Sequence, residues 1–165
     1  MIIKTMATLR LLGAVSTIAL LAACADKPVT TAAATGTGTT AAMPSIVPGS
    51  EEDLAKNVGD RVFFSFDKTM LSADDKGTLD RQAAWLGKYS SVNVQIAGNC
   101  DERGTEEYNI ALGQRRANAA RDYLVAKGTA AARITTISYG KDRPSVTGSD
   151  EDAWAKNRNA ITSVH

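Results

Sequence analysis

Histidine is almost missing from this chain. The one copy is His165, the last residue of the sequence, where a frayed end is expected. Ser-His-Asp and Cys-His arrangements therefore have no base. A zinc site of the usual Cys/His type fails the same count. Cysteine is scarce too, with Cys24 and Cys100 alone. Aromatic residues make up 5% of the chain, which argues against a stacking platform for nucleic-acid bases. An excess of one charge is also lacking: the net charge is +1, unlike the basic balance of a general nucleic-acid binder. After about Glu52 no stretch is long enough to span a membrane. Carboxylate neighbours do occur, at Asp74-Asp75 and Glu106-Glu107, but these suit helix N-termini better than acid–base work. Catalysis, cofactors and metals are not expected.

What is present begins with an address. Lys4 and Arg10 precede an uncharged, mostly apolar stretch from Leu11 to Ala23. It is short of the 20 or so residues of a membrane span and suits the apolar region of a secretory signal, about 7–15 residues long. Leu21-Ala22-Ala23-Cys24 resembles the lipobox of bacterial lipoproteins. That resemblance implies cleavage before Cys24, a covalent lipid on its thiol and acylation of the new amine. A plain signal peptide cut after Ala22-Ala23, or a short anchor, is the simpler alternative. Several acyl chains, at roughly 0.8 kcal/mol per buried CH₂, anchor a protein firmly where one does not. Ala25 after the cysteine, in place of the aspartate linked to inner-membrane retention, implies the outer membrane with the domain facing the periplasm.

A lipidated Cys24 leaves Cys100 without a disulfide partner, and a buried apolar role is the expectation for it. Residues 24–51 then read as the lipidated cysteine and a flexible linker. Their stretch "TTAAATGTGTTAAMPSIVPGS" has little to bury and cannot offset its ordering entropy. The remainder, 52–165, reads as one domain.

Its pattern alternates. "RVFFSF" (Arg61–Phe66) is aromatic and β-branched and predicts a strand. Ser72 offers an N-cap, with Asp74 and Asp75 in the first turn. Leu79, Ala83 and Leu86 follow at helical spacing, with Tyr89 nearby. "VNVQIAG" predicts a second strand. A long helix ends at Lys127-Gly128, with Gly113, Ala117, Ala120 and Leu124 as the stripe laid on the sheet. "RITTISYG" is a third strand, "DEDAWAKN" a short helix capped by Asp150, and "RNAITSVH" a fourth strand. The order βαβαβ(α)β predicts an α+β fold with helices layered on a mixed sheet.

Between the second strand and the long helix lies the charged seam "NCDERGTEEYN". Arg116 flanks the helix stripe, and a long side chain there lays its stem on the core and lifts its guanidinium to a rim. Arg115 points to solvent. If Asp101 turns back from its strand end, it and Arg116 face one cleft. Such a pair can clamp a zwitterion, arginine taking a carboxylate and aspartate an ammonium. A structural ion pair between the two is the competing reading.

The run "GNCDERGTEEYNIALGQRRANAARDYLVAKG", with "ISYGKDRP" and "NRNA" downstream, resembles the OmpA-like C-terminal domain family over essentially all of residues 53–165. The resemblance implies helices packed on a four-stranded mixed sheet. It also implies non-covalent, non-hydrolytic binding of peptidoglycan, in a pocket for the diaminopimelate of the stem peptide. The family's key aspartate and arginine fall on Asp101 and Arg116. Glu102, Arg103, Asn109 and Leu112 match the loop and helix around them, and the backbone near Phe64 and Ser65 matches the pocket lining. Lipid-anchored members are expected to tether the outer membrane to the wall and to work with the Tol system, binding TolB. They serve envelope integrity and outer-membrane invagination at division. The alternative is a lipid-anchored adaptor for protein partners alone. The chain departs from the family pattern at Asn99 (often histidine), Ser65 (often aspartate) and Asn159 (usually arginine).

Overall fold

The computed structural model describes residues 45–165; the signal segment, Cys24 and most of the linker lie outside them. The element order is α1 (Glu51–Asp53) running into a π turn (Leu54–Val58), β1 (Arg61–Phe63), α2 (Ala73–Lys88), β2 (Val94–Asn99), α3 (Glu106–Ala126), a 3₁₀ turn (Ala131–Arg133), β3 (Ile134–Gly140), α4 (Glu151–Asn157) and β4 (Asn159–Val164). The strands form one sheet in the order β1-β4-β2-β3. β2 and β3 run parallel, joined through α3, and β4 pairs antiparallel with both β1 and β2. This is the expected α+β fold, four helices on a four-stranded mixed sheet.

Local chemistry explains the boundaries. Ser72 accepts from the Asp75 amide, and the Asp75 side chain returns a bond to the Ser72 amide, a capping box at the start of α2. Asp150 caps α4 through the Ala153 amide. Gly128, at φ 100°, takes the left-handed conformation that ends α3.

The first described helix was not among the expected elements. α1 opens at Glu51, within the stretch read as linker, because Ser50 accepts from the Asp53 amide and Asp53 in turn accepts from Gly49 and from the Trp85 indole. The Ser50-to-Asp53 spacing is a legible cap signal. It carries Leu54, fully buried, into the core.

Strand β1 is also shorter than predicted. It stops at Phe63 rather than Phe66. Phe64 adds one further bond, its amide to the Arg158 carbonyl, and the chain then turns, with Lys68 N–H bonded to the Ser65 carbonyl. Asp67 sits in that turn at φ 56°, a left-handed conformation that aspartate tolerates better than most residues. Part of the predicted strand thus becomes a loop over the site.

One core lies between the helices and the sheet. Leu79, Trp85 and Leu86 of α2 meet Val62, Val94, Ile96 and Ala160 of the strands and Ala117, Ala120 and Leu124 of α3. Each large apolar side chain so buried contributes about 1.5–3 kcal/mol. The small-residue stripe of α3 does what its composition suggests. A Cβ on Gly98 would fall 1.8 Å from the Gly113 carbonyl oxygen, so at this point helix and strand come too close for any residue larger than glycine. That contact brings Arg116, one helical turn on, against the end of β2.

Candidate functional site

A cavity of about 230 Å³ opens where β2 ends and α3 begins. Of the residues expected there, Asp101, Arg103, Asn109, Leu112 and Arg116 line it. Cys100, Phe66, Asp67, Gly104 and Tyr108 complete the wall. The structure therefore brings Asp101 and Arg116 to one cleft, but not as a facing pair.

Arg116 corrects the expected rim position. It is 0% exposed. Its Nε donates to the Lys68 carbonyl at 3.0 Å, Nη1 to the Asn99 carbonyl at 2.9 Å and Nη2 to the Ser65 carbonyl at 3.2 Å. Nη1 also reaches Cys100 Sγ at 3.4 Å, and the Phe64 ring lies 5.2 Å from the guanidinium. Among the described residues no carboxylate oxygen stands within ion-pair distance of it. Burial pushes its pKa down from the usual arginine value, and the Asp101 charge only partly offsets this. The sequence missed this depth because Ser65 and Phe66, the start of the turn that closes over the side chain, were read as strand.

Asp101 is spoken for by other groups, so an Asp101–Arg116 ion pair is excluded as the structural alternative. Oδ1 accepts from the backbone and Nε of Arg103, at 3.2 and 3.1 Å. Oδ2 accepts from Arg103 Nη2 at 2.6 Å and Arg158 Nη1 at 3.2 Å. Burial alone would raise its pKa; the hydrogen bonds from Arg103 and Arg158 outweigh it and hold the carboxyl below its ordinary value.

Arg103 is stacked between the rings of Phe66 and Trp154, 4.2 and 4.0 Å from their centroids. Asn109, buried, donates to the Arg103 and Thr105 carbonyls and pins the loop to α3. Glu102 does not join the cavity; it accepts from the Trp154 indole and lines a separate recess. Phe64 and Ser65 do not line the cavity either. Their carbonyls hold arginines instead, Phe64 O taking Arg158 Nε at 3.0 Å and Ser65 O taking Arg116. Arg115 is exposed as expected.

Cys100 is buried. Its thiol donates to the Asn109 carbonyl. Burial pushes its pKa up, against a smaller opposing pull from Arg116.

Arg158 is the structural residue that sequence reasoning noted without assigning a role. It is buried at the end of α4 and bridges Asp101, Phe64 O and Glu151, the last at 2.7 Å. Two of the departures from the family pattern prove to be partners. Asn99 Nδ2 donates to Asn159 Oδ1 at 2.8 Å, and Asn159 Nδ2 donates to Ser145 and the Lys156 carbonyl. Each residue looks anomalous alone; together they form one buried link between β2 and β4. Among the described residues there is no group of three or more His, Cys, Asp or Glu that could hold a metal ion, and no helix long and apolar enough to cross a membrane.

A family model described as the OmpA family matches residues 63–158, the stretch from the end of β1 to Arg158. The chain belongs to the OmpA family. Relatives of this OmpA-family chain include the peptidoglycan-associated lipoprotein of Rhizobium meliloti (strain 1021), 49% identical over 152 residues, which are 92% of this chain and 85% of the relative. The protein of that name from Mesorhizobium japonicum is 51% identical over 117 residues, 71% and 70% of the two chains. Among solved structures, the peptidoglycan-associated lipoprotein from Burkholderia pseudomallei superposes with a TM-score of 0.64 at 36% identity, over 68% of this chain and all of that one. The C-terminal domain of Helicobacter pylori MotB shares the fold, with a TM-score of 0.60 at 18% identity over 64% of this chain and 84% of that one. In line with its family, this chain is not an enzyme.

Proposed function

We propose that this OmpA-family chain is an outer-membrane lipoprotein that binds peptidoglycan without cleaving it, holding the membrane to the wall. The cavity takes the zwitterionic end of the stem-peptide diaminopimelate. Arg116 receives its carboxylate, and the buried walls of Leu112 and Asn109 exclude water around it. Cys24 carries the lipid, and the linker spans the gap to the wall. Within the envelope the chain works with the Tol system through TolB, in envelope integrity and in invagination at division.

One observation carries the reading. Arg116 is fully buried on the cavity wall, yet its protein partners are neutral carbonyls and a thiol. A desolvated guanidinium without a counter-charge is costly; a ligand carboxylate removes that cost with charge-assisted hydrogen bonds. The names of the relatives point the same way.

Co-sedimentation of the full chain, in detergent, with purified peptidoglycan tests it. Wild type should pellet with the wall and Arg116→Met should remain in solution. A wild-type chain that binds TolB but never pellets with peptidoglycan would favour the adaptor alternative. For the anchor, Cys24→Ser should leave an unprocessed or soluble periplasmic chain in fractionated cells.

A further inference from the structure

The helices cover one face of the sheet and leave the other open. Val94 and Ile96 of β2 point into the core, so the alternation of a strand sends Gln95, Ala97 and Asn99 to the opposite face. There they line a recess of about 280 Å³ together with Ile161 of β4, Tyr139 of β3 and Arg143 just beyond it. This recess shares no lining residue with the Arg116 cavity.

One atom of the recess lining is out of balance. Asn99 is 3% exposed. Its Nδ2 donates to Asn159 Oδ1 and, at 3.3 Å, to the Ala97 carbonyl. Its Oδ1, also buried, has no hydrogen-bond partner among the described residues. An unpaired buried acceptor is costly, and a donor entering from the recess would serve it. Arg143 stands at the same recess with its guanidinium 3.7 Å from the centroid of the Tyr139 ring. Among the described residues it enters no ion pair. No carboxylate lines the recess, so a cationic donor would meet the Arg143 charge uncompensated. The fitting donor is a neutral N–H or O–H. Ala97 and Ile161 supply an apolar floor.

Acceptor, donor and apolar floor are together the complement of one compact group. A secondary amide bearing a methyl offers an N–H for Asn99 Oδ1, a carbonyl for Arg143 and a methyl for Ala97 and Ile161. Such groups occur in peptides and in N-acetylated sugars. β2 and β4 are each paired on both sides, so this face has no free backbone ladder for an extended peptide to join as a strand. A pendant acetamido group needs none. The hydroxyls of its sugar ring suit the side chains of Gln95 and Ser163 at the recess wall.

We propose that the recess on the open face of the sheet binds the acetamido group of an N-acetylated glycan, with Asn99 Oδ1 accepting its N–H and Arg143 donating to its carbonyl. The Asn99–Asn159 couple gains a role by this: Asn159 holds the Asn99 amide by its nitrogen and leaves the oxygen for the recess. The site stands apart from the Arg116 cavity and does not depend on what that cavity holds.

An NMR titration of the isotope-labelled full chain in detergent tests this. The probes are tetra-N-acetylchitotetraose, cellotetraose, which has a hydroxyl in place of each acetamido group, and N-acetyl-L-alanine amide. The first should shift the backbone amide signals of Gln95, Ala97, Tyr139 and Ile161 and leave those of the Asp101–Asn109 loop in place. Cellotetraose should shift neither set. Arg143→Gln should weaken binding of the acetylated oligosaccharide about tenfold. Ala97→Phe, which fills the floor, should abolish it, while the stem tripeptide L-Ala-γ-D-Glu-meso-diaminopimelate binds as it does to wild type. Neither substitution touches the Asn99–Asn159 contact, and melting curves of both variants should overlay wild type. If no signal on the open face moves, Asn99 Oδ1 is served by water alone and the assignment fails. It fails equally if cellotetraose moves the same signals as far, or if both variants bind the acetylated oligosaccharide like wild type. If the alanine amide binds there and the oligosaccharide does not, the recess takes a peptide and the glycan assignment is wrong. A wild-type chain that ignores the tripeptide but keeps these shifts would overturn the reading of the Arg116 cavity and uphold this one.

Discussion

Arg116 and Arg158 are both buried, both within reach of the Asp101 loop, and their surroundings are opposite. Around Arg158 the protein supplies counter-charges, Asp101 and Glu151, and the result is a brace: β4's approach, α4 and the loop are tied together in one network. Around Arg116 the hydrogen-bond acceptors are carbonyl oxygens and a thiol, and on the proposed reading a ligand carboxylate supplies the counter-charge. A buried ion network finished within the protein stabilises a shape; an unfinished one next to a cavity prepares a contact. On this comparison, Arg158 should matter chiefly to stability and Arg116 chiefly to binding.

The same substitution at each position is the strongest way to break that comparison. Arg158→Met leaves the buried carboxylate of Asp101 short of a donor, a loss of about 3 kcal/mol for a broken buried pair. The melting temperature should fall by about 10 °C or more, and wall binding should fall with it. Arg116→Met removes a desolvated charge and should cost less stability than Arg158→Met, about 1 kcal/mol, since water can reach the exposed Ser65 and Lys68 and the buried Asn99 carbonyl alone is left without this donor. Its peptide affinity should drop roughly ten- to a hundredfold. Arg116→Lys should also bind more weakly, because an ammonium lacks the planar fork. Equal losses of stability at the two positions, read by thermal melts, would erase the distinction.

Acid provides a smaller, sharper test. The folded-state pKa of Asp101 is lowered relative to the unfolded chain. Its contribution is therefore complete above the unfolded value of about 4 and is lost as pH falls through the folded value below it. Melting temperature followed from pH 6 to pH 3 should decline below about pH 4 in wild type, with a shallower decline in Asp101→Asn. Smallest of all should be the effects at two neighbours of the cavity. With Cys24 replaced by Ser, Cys100 should react slowly with a thiol reagent in the folded chain, as its burial and raised pKa require; rapid labelling at neutral pH would show an open cavity floor. Arg115→Ala should leave wall binding unchanged, since Arg115 faces solvent one position from Arg116.

How legible all this was in the sequence depended on the range of the signal. Caps, glycine stops and apolar periodicity are local, and Ser72, Asp150, Gly128 and the Gly113–Leu124 stripe were read correctly from neighbours a few residues away. Asp101 and Arg116 were recognised as belonging to one cleft. What could not be read was who pairs with whom. Arg158 is 57 positions from Asp101 and 94 from Phe64, and no periodicity encodes such contacts. The "RVFFSF" run misled for a related reason. Its last residues have strand composition, yet Ser65 and Lys68 carbonyls are claimed by Arg116 from 51 and 48 positions away, and tertiary contact overrode local propensity. The α1 turn was legible from Ser50 and Asp53 and was passed over because the composition before it looked like linker.

The strand order has a consequence of its own for how the chain reaches its native state. β4, the final strand of the described chain, sits inside the sheet between β1 and β2. The sheet is incomplete until residues 159–164 take their place, so a chain in which they are not yet paired keeps β1 and β2 apart and unjoined. Every bond that links β1 to the rest of the sheet waits for residues 159–161. Such long-range closure makes folding slow and late, and it keeps the cavity from forming early, because Arg158 and Asn159 enter with that same strand. The cleft can close only once β4 has joined the sheet.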